Sequence, residues 1–164
     1  MKKWLWLVLA VFLVSGCIGG QIQDTAHHQA LGYASGKAVG ISVNKFVPKA
    51  DPKLRQSWSE MMDANKEVEI IPDYAVAQFY NQCILILTEE YKKDPYGLIQ
   101  DLAVLLSIYG ASFTEDGQLL GIKPVPKTVM EYFAMGYRNG ADRVKSFGDR
   151  AEMESWEVQL CSGS

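Results

Sequence analysis

The sequence predicts an all-α protein: a single compact bundle of five or six short helices, with a small hairpin near residues 113–125. Three observations predict it. Helix-start signals recur, with Asp-Pro at 51–52 and 94–95 and Pro-Asp at 72–73; proline suits a first turn, where its missing N–H loses no bond. Between these signals apolar residues return every third or fourth position, the period of one helix face. Segments that lean towards β-structure are short, at Val68 to Ile71 and around Leu119. A competing α+β arrangement pairs those two segments as strands.

The elements follow in order. Asp24-Thr25 offers a cap for a first helix running to about Phe46, and Pro48 closes it. Asp51 as N-cap with Pro52 behind it opens a second helix, with Leu54, Trp58, Met61 and Met62 along one side. Pro72-Asp73 opens a third, whose Val76, Phe79, Tyr80, Cys83, Ile84 and Leu87 share a helical face. Asp94-Pro95 starts a fourth that stops at Gly110. It is apolar nearly all round from Leu102 to Ile108, which makes it the candidate for the centre of the core. Glu115-Asp116-Gly117 reads as the turn at the hairpin tip. Thr128 and Glu131 have capping-box spacing and begin a fifth helix to about Phe147; Asp149 and Glu152 repeat it before a short terminal helix. No linker or low-complexity tract splits the chain, and 164 residues suit one core.

The N-terminus sets the compartment. Lys2 and Lys3 precede an apolar run from Trp4 to Val14, too short for a bilayer core of about 30 Å, which takes roughly 20 helical residues. It therefore reads as a signal peptide. Val14-Ser15-Gly16-Cys17 then resembles the lipobox of prokaryotic lipoproteins. That resemblance implies cleavage after residue 16 and acylation of Cys17, the first mature residue, by diacylglyceryl and, as the resemblance implies, palmitate-type chains. The division expected is signal peptide 1–16, short tether 17–23 and helical domain 24–161. The domain would sit close to its membrane, on the periplasmic face of an outer membrane or on the cell surface according to the organism. Loss of Lys2 and Lys3 makes the formal charge of −3 two units more negative. With no Lys/Arg run, nucleic acid is not an expected partner, and lipid rather than a basic patch is the anchor.

Reactive constellations are missing from the sequence. His27 and His28 are adjacent and point about 100° apart on a helix, so they do not converge on one metal. No GxSxG elbow, P-loop or GxGxxG turn is present. The carboxylate pairs Glu89-Glu90, Glu115-Asp116 and Glu152/Glu154 fall at polar helix ends or turns, whereas acid/base work needs two carboxylates in different environments. No enzyme, cofactor or metal is expected. Cys83 and Cys161 leave two accounts open. In an oxidising exported compartment they form a disulfide stapling the C-terminus to the core; otherwise Cys83 is a small buried hydrophobe and Cys161 an unpaired thiol.

One feature is unusual for helices. Gly32, Gly36 and Gly40 recur within ALGYASGKAVG, and AMGYRNGAD repeats the phrase with Gly136 and Gly140. The glycines lie on the apolar faces, beside Val39 and Val43 in the first helix and Val129, Phe133 and Val144 in the fifth. Each costs up to about 1 kcal/mol relative to alanine, and close backbone approach offsets that with dispersion contacts. Either the two helices pack glycine face to glycine face, or the glycines line a cleft or partner groove with Tyr33 and Tyr137 on its rim.

Gly32-Tyr33-x-x-Gly36-x-x-x-Gly40, with Tyr91-x-x-x-Pro95 before a Leu/Ala-rich helix, also resembles the Tai/Rap1a-type immunity proteins. This implies a small helical periplasmic protein that binds and neutralises a toxin. The family's paired cysteines are missing, since only Cys83 lies nearby. The leading functional expectation is a lipid-anchored, non-catalytic envelope protein that binds a protein partner or supports an assembly. The alternatives are a carrier of a small apolar ligand, in a void between the glycine helices and the third and fourth helices lined by Tyr33, Tyr80, Tyr109 and Tyr137, and an immunity or inhibitor protein.

Overall fold

A computed structural model of the chain describes residues 20–91 and 93–146, with side chains from residue 25 onward. Cys17, the signal segment, Cys161 and the stretch expected as a terminal helix lie outside the described residues. Six helices carry the described chain: α1 Gly20–Phe46, α2 Asp51–Ala64, α3 Asp73–Glu90, α4 Pro95–Leu98, α5 Gln100–Ser107 and α6 Lys127–Ser146. Two small antiparallel ladders complete it. β1 Ile70–Ile71 pairs with β4 Val125–Pro126, and β2 Ser112–Phe113 pairs with β3 Leu119–Gly121. The protein is an all-α bundle with a small hairpin, and the Val68 and Leu119 segments do not pair with each other.

α1 begins at Gly20, ahead of the Asp24-Thr25 cap, so part of the expected tether is helical. Gln21, Ile22 and Gln23 contain no helix breaker. At 27 residues α1 is about 40 Å long and spans the bundle. After it, Val47 and a 3-10 turn at Pro48–Ala50 reverse the chain. Asp51 was expected to cap α2; instead Ala50 holds the cap position without a side-chain bond, and Asp51 is the first helical residue. Its carboxylate is engaged by other helices, described below. At Asp94 the local device does operate: its Oδ1 accepts from the Tyr96 amide at 3.0 Å and opens α4.

The expected fourth helix is divided. Ile99 adopts φ −120°, ψ 20° and serves as C-cap of α4 and N-cap of α5. Gly97 weakens the preceding turn, and the break turns the Ile99 side chain inward until only 1 % is exposed. Beyond it α5 is amphipathic, not buried all round: Leu102, Leu105 and Leu106 face the core while Val104 and the C-cap residue Ile108 are 58 % and 44 % exposed. Gly110 ends this segment at φ +70°, with Ala111 N–H donating to the Leu106 carbonyl at 3.2 Å; this left-handed stop favours glycine. In the hairpin, Gly117 takes φ +73° at the tip. The Asn81 amide fastens the hairpin to α3, donating to the Leu119 carbonyl at 3.2 Å and accepting from its N–H at 2.9 Å.

α6 opens at Lys127, one residue before Thr128, and the Lys127 amide donates to the Glu69 carbonyl beside the β1–β4 ladder at 2.8 Å. α1 and α6 form one layer of the bundle, and α2, α3 and α5 cover it. All contribute to a single apolar core that includes Val43, Ile71, Val76, Leu87, Leu105 and Met130.

Candidate functional site

The glycines come first, because they fix how α1 meets α6. A methyl group built on Gly36 would strike the Phe133 carbonyl, and one on Gly40 the Tyr137 carbonyl; reciprocally, Gly136 faces the Tyr33 carbonyl and Gly140 that of Lys37. Gly32 would bring its methyl to 2.6 Å from the Val129 carbonyl oxygen. Residue numbers rise together on both sides, so α1 and α6 run parallel with backbone against backbone. Gly36 lies level with Gly136 and Gly40 with Gly140. This register is one helical turn out of step with the sequence likeness, which aligns Gly36 with Gly140. Tyr33 and Tyr137 therefore do not stand at matching positions on a rim: Tyr33 is half-buried, while Tyr137 points inward. The glycine face is filled by the partner helix.

Below this seam lies a polar centre that sequence reasoning missed. Asp51, 5 % exposed, receives the Tyr137 hydroxyl at 2.9 Å on Oδ1 and the Arg55 Nε at 3.0 and 3.1 Å on its two oxygens. The Asn44 amide reaches Oδ1 at 3.3 Å and the Lys145 ammonium reaches Oδ2 at 3.3 Å. One carboxylate thus ties α1, α2 and α6 together. Burial opposes its ionisation, but the bonds from Arg55, Tyr137 and Asn44 outweigh it and hold the carboxyl below its ordinary value. Burial, reinforced by the Asp51 charge, pushes the Tyr137 phenol well above its ordinary value, so it stays a neutral donor. The signal was an aspartate followed four residues later by an arginine, which local cap grammar explained away.

Beside Asp51 an apolar cleft of about 210 Å³ opens between α2, α3, α5 and α6. Trp58 forms part of its wall, stacked on Phe133 (ring centroids 5.7 Å apart, planes at 25°) and edge-on to Phe79 at 5.2 Å. Val39 and Leu102 line it further, and Tyr137 joins it to the Asp51 centre. Two cations stand at its margin, Arg55 and Arg138. The Arg55 Nε is committed to Asp51, yet its Nη2 is buried with no hydrogen-bond partner. Arg138 is exposed and makes no hydrogen bond or ion pair among the described residues.

The remaining expected residues do not converge here. Of the tyrosine quartet only Tyr137 lines the cleft. Tyr80 packs against Phe113, its phenol pushed up to about 12 by burial, and the Tyr109 hydroxyl lies 3.1 Å from His28 Nδ1. Cys83 lies on the cleft wall as a buried free thiol, raised by desolvation and so kept neutral. Glu89 and Glu90 are paired with Lys53 at 3.6 and 2.6 Å. Among the described residues no group of three His, Cys, Asp or Glu is placed to hold a metal ion, and no helix is long and apolar enough to cross a membrane.

Comparison with protein-family models, curated proteins and solved structures returns no match. The class that fold and site define is a small all-α bundle with an apolar cleft. The lipoprotein and Tai/Rap1a-type resemblances rest on their motif residues alone.

Proposed function

We propose that this chain is a lipid-anchored, exported binding protein of the cell envelope, with no catalytic role, and that its helical domain holds a small apolar ligand in the Trp58 cleft. The observation that carries this reading is the cleft itself, an apolar concavity walled by Trp58, Phe79 and Phe133. Ligand sites are concave and mostly apolar, with a few polar groups that fix orientation. The volume suits a small molecule: an apolar cavity of about 150 Å³ accepts benzene. The glycine face, the other candidate groove, is occupied by α6. Anchoring through Cys17 would keep this domain at the membrane surface.

Two substitutions test the two halves of the proposal. Cys17→Ser should move the protein from the membrane to the soluble fraction, and unchanged fractionation would overturn the anchor. Ala134→Trp, on the α6 wall of the cleft, should abolish the thermal stabilisation that small aromatic compounds give the wild-type chain. Equal stabilisation of both proteins would place binding elsewhere.

A second reading, a protein partner bound on the outside, is favoured by Val104 on α5 and Ile108 at its C-cap, exposed one turn apart. Such a partner, a toxin included, would be captured by crosslinking in membranes from wild-type cells and lost with Val104→Asp. Retention of the crosslink would count against this surface.

A further inference from the structure

We infer that the ligand of the Trp58 cleft is a small monocarboxylic acid, its apolar body against the aromatic wall and its carboxylate on Arg55 and Arg138. The inference rests on the cleft being a binding site and adds the ligand's charge and size.

Three features of the margin lead to it. The first is the unfilled bonding capacity of Arg55. A guanidinium carries five N–H donors in a rigid fork, and here only the Nε is used, on Asp51; Nη2 is buried and unpartnered. A buried donor without an acceptor carries its full desolvation penalty; with 35 % of the Arg55 side chain exposed, a shift of the guanidinium towards a ligand oxygen would relieve it. The second is charge. Asp51 is one anion held between two cations, Arg55 and Lys145, so this cluster keeps a net positive charge, to which Arg138 adds another. The bonds Asp51 already accepts leave its charge well compensated, which reduces repulsion of an incoming carboxylate. The third is support. The Arg55 guanidinium lies 5.6 Å from the Tyr137 ring centroid and is tethered through Nε, so it is oriented before a ligand arrives, and a fixed fork matches a carboxylate in bidentate fashion.

Volume limits the body of the acid. About 210 Å³ holds one six-membered ring with a short side chain, or a short aliphatic chain. A ring presented to Trp58 and Phe133 would extend the stack those side chains already form. Phenylpropionate is a probe of this size, and its amide is nearly isosteric but neutral.

The test is calorimetric titration of the full-length chain in detergent with phenylpropionate and with phenylpropanamide. The acid should bind at least tenfold more tightly than the amide. Arg138→Gln, at an exposed residue outside the Asp51 centre, should weaken the acid severalfold and leave the amide unchanged. Arg55→Met should remove the preference for the acid, and a circular-dichroism melt checks that this variant folds. If it does not fold, Arg138→Gln alone decides. Equal affinities for acid and amide would overturn the charge assignment while leaving the apolar cleft standing as a site. Failure of both to bind, with no difference from Ala134→Trp, would overturn the cleft and the inference with it.

Discussion

Replacing Gly36 with alanine isolates the glycine seam, because two opposed effects differ in sign. In an open helix interior the change is favourable by up to about 1 kcal/mol, since alanine has the better helix propensity. At Gly36 the new methyl would land on the Phe133 carbonyl, with the Phe133 Cα also only 3.0 Å away. Both obstacles are backbone, so no side-chain rotation relieves them. The helices must separate by about 1.5 Å to restore ordinary contact, and a gap of even 0.5–1 Å forfeits roughly a quarter to a half of each dispersion well. Overpacking of this kind costs about 1–3 kcal/mol, and against backbone the upper end applies; after the propensity gain, a net loss of about 2 kcal/mol remains. For a domain of this size that lowers the melting temperature by roughly 6–10 °C. Thermal denaturation followed by circular dichroism reads it directly, with Ala34→Gly, at an exposed site on the same helix, as the control for propensity alone. An unchanged or raised melting temperature in Gly36→Ala would refute the close approach of α1 and α6.

Other expectations follow from the same geometry. Asp51→Asn should destabilise the domain by about 2–3 kcal/mol, below the usual range for breaking a buried pair because Arg55 and Lys145 are partly exposed and regain water. Since the Asp51 carboxyl is held below its ordinary 3.8, its contribution is present above that pH and is lost as pH falls through the lower folded-state value. Acid titration of stability should therefore flatten in Asp51→Asn, and an identical acid limb in both proteins would contradict the assignment. Asn81→Ala removes both bonds to Leu119 and should cost about 1–3 kcal/mol, with hydrogen exchange accelerating first in the hairpin; uniform acceleration would show that Asn81 is not its fastening. For Cys83, deep burial predicts slow alkylation in the folded chain and fast alkylation in denaturant. As a free thiol Cys83 should give the same mass with and without reductant, and a gain of two hydrogens on reduction would show instead a bridge to Cys161.

Much of the fold was legible because it is written in local signals. Pro48, the Asp94-Pro95 cap and the three-to-four spacing of apolar residues are properties of neighbours in the chain, and they place the end of α1 and the starts of α3 and α4. What failed was the assumption that each local signal has a local use. Asp51 fits a cap, but four donors from three helices compete for its carboxylate, and the tertiary bonds win. Ile99 continues the helical period, yet burying it requires the break between α4 and α5. The glycine spacing marks a face on each helix, whereas the meeting of Gly36 with Gly136 depends on how the intervening elements return the chain. The cleft was the least visible part. Trp58, Phe79 and Phe133 each read as one apolar position on a separate helix, and their convergence beside an unfilled guanidinium is a product of packing.

The most direct test of the cleft as a binding site is a methyl and amide NMR titration of the full-length chain with phenylpropionate. Saturable shifts concentrated on Val39, Leu54, Ile99 and Leu102, with the Trp58 indole among the largest, are the expected result. Saturable shifts confined to Val104 on the outer face of α5 and Ile108 at its C-cap, or none at millimolar acid, would contradict it.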